Sequence, residues 1–270
     1  MRVPSSGPGP SFPFGKRGAG AIACAAFVCA ALVVGCDDAP KPGSAAASAS
    51  ASSSAAPSAT PAPAKRTAMP EIIVDTDGPY VGGSRINLDD PTGAEKLAKA
   101  LKDLPIGGKP VTVLAEKKAK VQHVAAVVAA LGDAGAPKVV IKTDGRNDLA
   151  KEIAVTPESR LGAPPGCSVT ALVMKDLSTA VWGLKGGAAK KQRKGLAGPD
   201  LSHTGEEVTR ELAACDSTMA FFSGDDALPW ENAFNLAGTI MASDEKKKID
   251  TLVLLREAPV AGRAVTVAKH

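Results

Sequence analysis

The sequence predicts an α+β fold built from two tandem copies of one small domain. Each copy has the order β-β-α-β-α-β-β, with its helices packed on one face of a small mixed sheet. Three observations predict it. Apolar residues recur at helical spacing in four segments, and short β-rich runs lie between them. The pattern of residues 111–143 returns in residues 218–255. The stretch Gly162-Ala163-Pro164-Pro165-Gly166 separates the two as a linker would. Helices in such an order bury one stripe against one side of a sheet.

The first copy spans residues 70–162. It opens with a hairpin over residues 71–83, turning at Thr76-Asp77-Gly78. Thr92-Gly93 starts a helix through Leu97, Ala100, Leu101 and Leu104, and Val111 to Leu114 follow as a strand. Val121, Val124, Ala125, Val128 and Leu131 form a helical stripe that Gly135 stops. Val139–Ile141 and Glu152–Val155 complete the copy as strands.

The second copy spans residues 167–270. A hairpin over 169–187 precedes a helix from Thr204-Gly205 through Val208 and Leu212, with Ser202 or Thr204 as cap beside His203. A strand closes at Phe221 and Phe222. Trp230, Ala233, Phe234, Ala237, Ile240 and Met241 then make the second helical stripe. Leu252–Leu255 and Ala264–Val267 read as the last strands, the terminal one as an edge for pairing with a partner. Glu116 and Asp225, Val121 and Trp230, and Leu131 and Ile240 all stand 109 positions apart, and the register slips by four at Ser243–Lys248. Whether the two copies pack against each other as an internal pseudo-dimer is left open by the sequence.

Ahead of both copies, Lys16 and Arg17 precede an uncharged apolar run, Ala19 to Gly35, ending in Val33-Val34-Gly35-Cys36. This describes a secretory signal over residues 1–35 that resembles a bacterial lipobox, with Cys36 as the acylated attachment to the membrane. The alternative is a permanent anchor helix, for which the run is short against the roughly 20 residues that span a bilayer. Residues 36–69 carry the acylated Cys and an Ala/Ser/Pro-rich flexible tether. The expected location is the envelope, on the periplasmic face of the inner or outer membrane. Of the net charge of +4, Arg2, Lys16 and Arg17 account for three, so the remainder is nearly neutral. With 3% aromatics as well, nucleic acid is excluded as the main ligand.

Ala115-Glu116-Lys117, Val121, Val127, Leu131, Ala134-Gly135 and Lys138-Val139 resemble the periplasmic domain of the ExbD/TolR biopolymer-transport family. That family's pattern is an A-D-K triplet, an aromatic five residues past the Asp, a V-x-x-x-L helix and A-G before the next strand. Glu116 and Val121 replace the Asp and the aromatic, whereas Asp225 and Trp230 keep both types in the second copy. The resemblance implies a non-enzymatic envelope adaptor, accessory to TonB/Tol-type transport. Its implied partners are a proton-channel subunit or a TonB-like protein, with passive peptidoglycan binding as the alternative. The family's membrane-embedded Asp has no counterpart in Ala19–Gly35, so the chain reads as an accessory made from the soluble domain alone.

Catalytic and cofactor chemistry find no carrier. No Cys/His cluster, H-E-x-x-H or G-x-S-x-G is present, and no metal or other cofactor is expected. Cys24 and Cys29 leave with the signal, so Cys167 and Cys215 remain in an oxidising compartment as a disulfide or as two buried thiols. Asp75-Thr76-Asp77-Gly78 reads as a tight turn rather than a calcium loop. His123 reads as a solvated or half-buried helix residue. Residues 185–194 read as a mobile basic loop, in which Lys190, Lys191 and Arg193 offer a surface to an anionic partner. Trp230 reads as core. Trp182, on a strand followed by glycines, is a partner anchor if exposed.

Overall fold

A computed structural model of the protein describes residues 68–144 and 150–267; Cys36 and most of the segments read as a signal and a tether lie outside the described residues. In the first half the strands are β1 (Ile72–Asp75), β2 (Gly78–Val81), β3 (Ser84–Arg85), β4 (Val111–Ala115), β5 (Val139–Lys142) and β6 (Glu152–Val155), with helices α1 (Gly93–Lys102) and α2 (Val121–Asp133). They form one mixed sheet of order β3-β2-β1-β4-β5-β6. The second half holds β7 (Val169–Val173), β8 (Thr179–Gly183), β9 (Lys190–Gln192), β10 (Met219–Gly224) and β11 (Thr251–Leu254), with α3 (Leu201–Ala213) and α4 (Trp230–Ser243). Its sheet has the order β11-β10-β7-β8-β9.

The two halves thus share the order β-β-β-α-β-α-β, and the first adds β6. The central strands run parallel in both: β1–β4–β5 in one, β7–β10–β11 in the other. Even the register repeats. Val111 lies beside Val139 and Ala220 beside Leu252, which reproduces the offset of 109 before the second helix and the slip of four after it. The inserted turn is closed by Asp244, whose Oδ2 accepts the Ile249 N–H at 2.6 Å.

Local chemistry sets the helix limits. α2 ends in a Schellman arrangement: Ala136 N–H donates to Leu131 O and Gly135 N–H to Gly132 O. Gly135 has φ of +109°, which L residues rarely adopt. The cap of α3 is Asp200, not Ser202 or Thr204. Its Oδ1 accepts the His203 N–H at 3.2 Å, and its Oδ2 stands 2.8 Å from His203 Nδ1.

Two expectations fail. Ala264–Val267 is not a strand. The C-terminal segment instead crosses the face of the second sheet, where Val265 N–H donates to Leu184 O and Trp182 Nε1 to Arg263 O, both at 2.9 Å. The cause is apolar surface. That face carries Leu172, Trp182, Phe221 and Val253, and Val265 and Val267 pack against it. The second error concerns residues 185–194, which are not all loop: Lys190–Gln192 forms β9, antiparallel to β8.

The halves share one hydrophobic core that runs from Val74, Val113 and Val128 to Phe222, Trp230 and Ile240. Their contact is reciprocal. Val121 N–H donates to Leu228 O at 3.0 Å, and Trp230 N–H donates to Ala119 O at 2.7 Å. Each donor in one half is the 109-residue counterpart of the donor in the other, as are the two acceptors. The isolated antiparallel bridge Lys120–Pro229 therefore marks a pseudo-twofold axis, the pattern of an isologous interface.

Candidate functional site

Beside this axis the halves differ most. Trp230, fully buried, donates from Nε1 to Thr143 Oγ1 at 2.8 Å, and Thr143 in turn donates to Ala115 O at 3.0 Å. Its ring lies 6.4 Å from Phe222 and 6.0 Å from Phe234. On the opposite side the smaller Val121 faces Gly224, where an added Cβ would come within 3.2 Å of its Cγ2. The change from Ala115 to Gly224 between the copies thus makes room for Val121.

The connector between the halves is fixed to both. Arg160 donates to Gly132 O at the end of α2 through Nε and Nη2. Thr156 N–H donates to Leu252 O, and Glu158 accepts the Arg256 N–H. The bond from Thr156 to Leu252 also joins the free edges of β6 and β11. Because Thr143 N–H bonds Lys151 O, alternation along β6 points Ile153 and Val155 at β5 and turns the N–H and C=O of Glu152 and Ala154 outward. From Thr156 the two edges diverge around a groove of about 440 Å³. Ala154, Gly238, Met241, Ala242 and Ile249 line it, with Lys138 and Asp250 also on its wall. Met241 is 43% exposed there. An apolar trough beside outward-facing backbone groups is the arrangement that accepts an added strand.

A second, wider basin of about 950 Å³ opens at the carboxyl ends of β4 and β5. Ile73 and Leu114 are among its apolar lining, and Glu116, Lys117, Lys118, Lys142, Asp144 and Lys151 among its charges. Lys117 and Lys151 reach Asp144 at 3.6 and 3.4 Å, and Lys117 foremost holds the Asp144 carboxyl below its ordinary range. The second half carries Asp226 and Glu257 at the corresponding places. There burial, then Asp225 and Glu257, push the Asp226 carboxyl up.

His123 is buried, contrary to expectation, at 1% exposure. Its Nε2 stands 3.5 Å from Asp89 Oδ1, too far for a good hydrogen bond, while Lys120 holds both Asp89 oxygens at 2.7 and 3.0 Å. Burial pushes the imidazole pKa down, and Asp89 only partly offsets this. Among the described residues no group of three or more His, Cys, Asp or Glu side chains is placed to hold a metal ion.

The other predicted residues fall as follows. Cys167 and Cys215 are joined in a disulfide with Cα atoms 5.7 Å apart. Trp182 is buried under the C-terminal segment, so it is no partner anchor. Lys190, Lys191 and Arg193 are exposed along β9 and just after it. Cys36 lies outside the described residues, and among those described no helix is long and apolar enough to cross a membrane. The groove between β6 and β11 was missed, because it forms only when the two copies meet. No protein-family model, curated protein or solved structure matches the chain.

Proposed function

We propose that this chain is a lipid-anchored adaptor of the bacterial envelope, related to the ExbD/TolR family and accessory to TonB/Tol-type transport. In this reading the acylated Cys36 and the tether hold the folded part on the periplasmic side. The groove between β6 and β11 grips an extended segment of a partner protein. The observation that carries the binding role is the divergence of two strand edges from Thr156–Leu252 around an apolar floor. The sequence features that carry the envelope role are the lipobox-like Val33-Val34-Gly35-Cys36 and the copy-by-copy pattern around Glu116 and Asp225.

The test is affinity purification of the full chain from gently solubilised envelopes, with mass spectrometry of what accompanies it. A proton-channel subunit or TonB-like protein, lost on Met241→Glu, supports the adaptor. Pelleting on isolated sacculi with neither partner recovered replaces it with a passive peptidoglycan binder.

A further inference from the structure

The edge of the second sheet carries a feature that the groove does not use. After β9 the chain makes a tight turn, Gly195-Leu196-Ala197-Gly198, closed by Gly195 N–H to Gly198 O at 2.7 Å and by the bridge Lys194–Pro199. The turn holds Leu196 clear of the protein, at 111% relative exposure. No other large apolar side chain among those described is so exposed; the next, Val260, reaches 60%. Lys190, Lys191, Arg193 and Lys194 precede it, all exposed and without an ion pair among the described residues. Of the carboxylates nearby, Asp200 is committed to capping α3 and to His203, and Asp176 to Ser178, while Asp225 lines a recess with Lys191 and Glu231 one with Leu196.

We infer that this turn is a membrane-contact tip that sets Leu196 into the interfacial region of an anionic lipid bilayer while the four cations meet the headgroups. Two observations select lipid over a cell-wall polymer. Anionic polysaccharide or peptide would satisfy the cations, but only a bilayer gains from a fully exposed leucine at the apex. Besides, a closed turn presents that leucine without the entropic cost of ordering a loose loop. The bland role for the lysines is to guard an edge strand against pairing; that role requires neither Leu196 nor its display. The inference goes beyond the adaptor reading and does not need Cys36 to be acylated.

The test uses the full chain bearing an environment-sensitive fluorophore at Ala197→Cys, exposed beside the retained Leu196, the wild-type chain treated identically serving as blank. Vesicles of phosphatidylcholine alone are compared with vesicles containing one-third phosphatidylglycerol. The expected result is a blue shift and protection from iodide quenching on the anionic vesicles only. The lipid concentration for half the shift should rise roughly fivefold for each cation removed in K190Q, K191Q and R193Q. A label at Val260 should show no shift. Equal emission with both vesicles and in buffer, or a shift unchanged in the triple variant, overturns the inference and leaves the lysines as edge guards. A shift on isolated sacculi with none on vesicles overturns it in favour of the cell wall. Flotation on neutral vesicles reports the Cys36 anchor separately, so failure of the anchor and failure of the tip are distinguishable.

Discussion

Thr143 and Trp230 belong to different halves, and the bond between them tests whether the halves fold as one. In Thr143→Val, shape is nearly kept, but the buried Trp230 N–H loses its acceptor and Ala115 O loses its donor. Leaving such groups unpaired costs about 1–3 kcal/mol. In Trp230→Phe the donor disappears, Thr143 keeps its bond to Ala115 O, and the smaller ring leaves part of a fully buried site unfilled; about 1–3 kcal/mol is expected. With Phe at 230, Thr143→Val no longer strands an indole N–H, so its cost should fall to about 1 kcal/mol. The double-mutant cycle should then show a coupling of about 1–2 kcal/mol. Urea titration followed by far-UV circular dichroism, and separately by tryptophan emission, measures it. Both probes should give one coincident transition in every variant. Coupling below about 0.3 kcal/mol, or two separate transitions, would refute the single shared core.

Four further outcomes follow from the structure. Replacing Cys167 and Cys215 together by Ser opens a cross-link between positions 48 apart and should cost about 4 kcal/mol on the chain-entropy argument, read from the urea midpoint. His123 has a folded pKa below its ordinary value of 6.5, so the unfolded chain binds the proton more readily; stability should fall as pH drops below about 6.5, down to the folded pKa. His123→Gln should remove that part of the pH dependence, and an unchanged profile would refute the assignment. Asp226→Asn should raise the melting temperature at pH 7 by removing a partly buried charge and, with it, the repulsion with Asp225 and Glu257; a lower one would count against it. Gly186→Ala should lift the C-terminal segment, because a Cβ there would sit 2.7 Å from Ala264 N at a φ of +89°, and red-shifted emission of Trp182, read in a Trp230→Phe background, would report it.

How much of this was legible in the sequence follows from the range of the forces involved. α2 and α4 start where their apolar stripes begin, at Val121 and Trp230, and the slip of four is a polar turn whose insertion the sheet does not feel. The cap of α3 was misplaced because Ser202 and Thr204 have the right chemistry and only geometry selects Asp200. Ala264–Val267 has the alternation of a strand, yet it serves as a cover: the apolar surface of Leu172, Trp182 and Phe221 attracts it, and no local pattern shows that. Trp182 was misjudged for the same reason. The groove beside β6 depends on the meeting of residues from Lys138 to Leu252, which no window along the chain brings together.

The bridge between Lys120 and Pro229 lies within one polypeptide. A symmetric pair of separate subunits comes apart on dilution, and every substitution appears in it twice. Neither holds here: mass action has no grip on this interface, and each side is free to change alone. The divergence is already visible. One half places Lys117 against Asp144 where the other places Asp226 against Glu257, and among the described residues one sheet face leaves Ile73, Leu114 and Val140 partly exposed while its counterpart is closed by residues 263–267. A pair of identical subunits has to use both faces for the same task; this single chain can present a different surface on each.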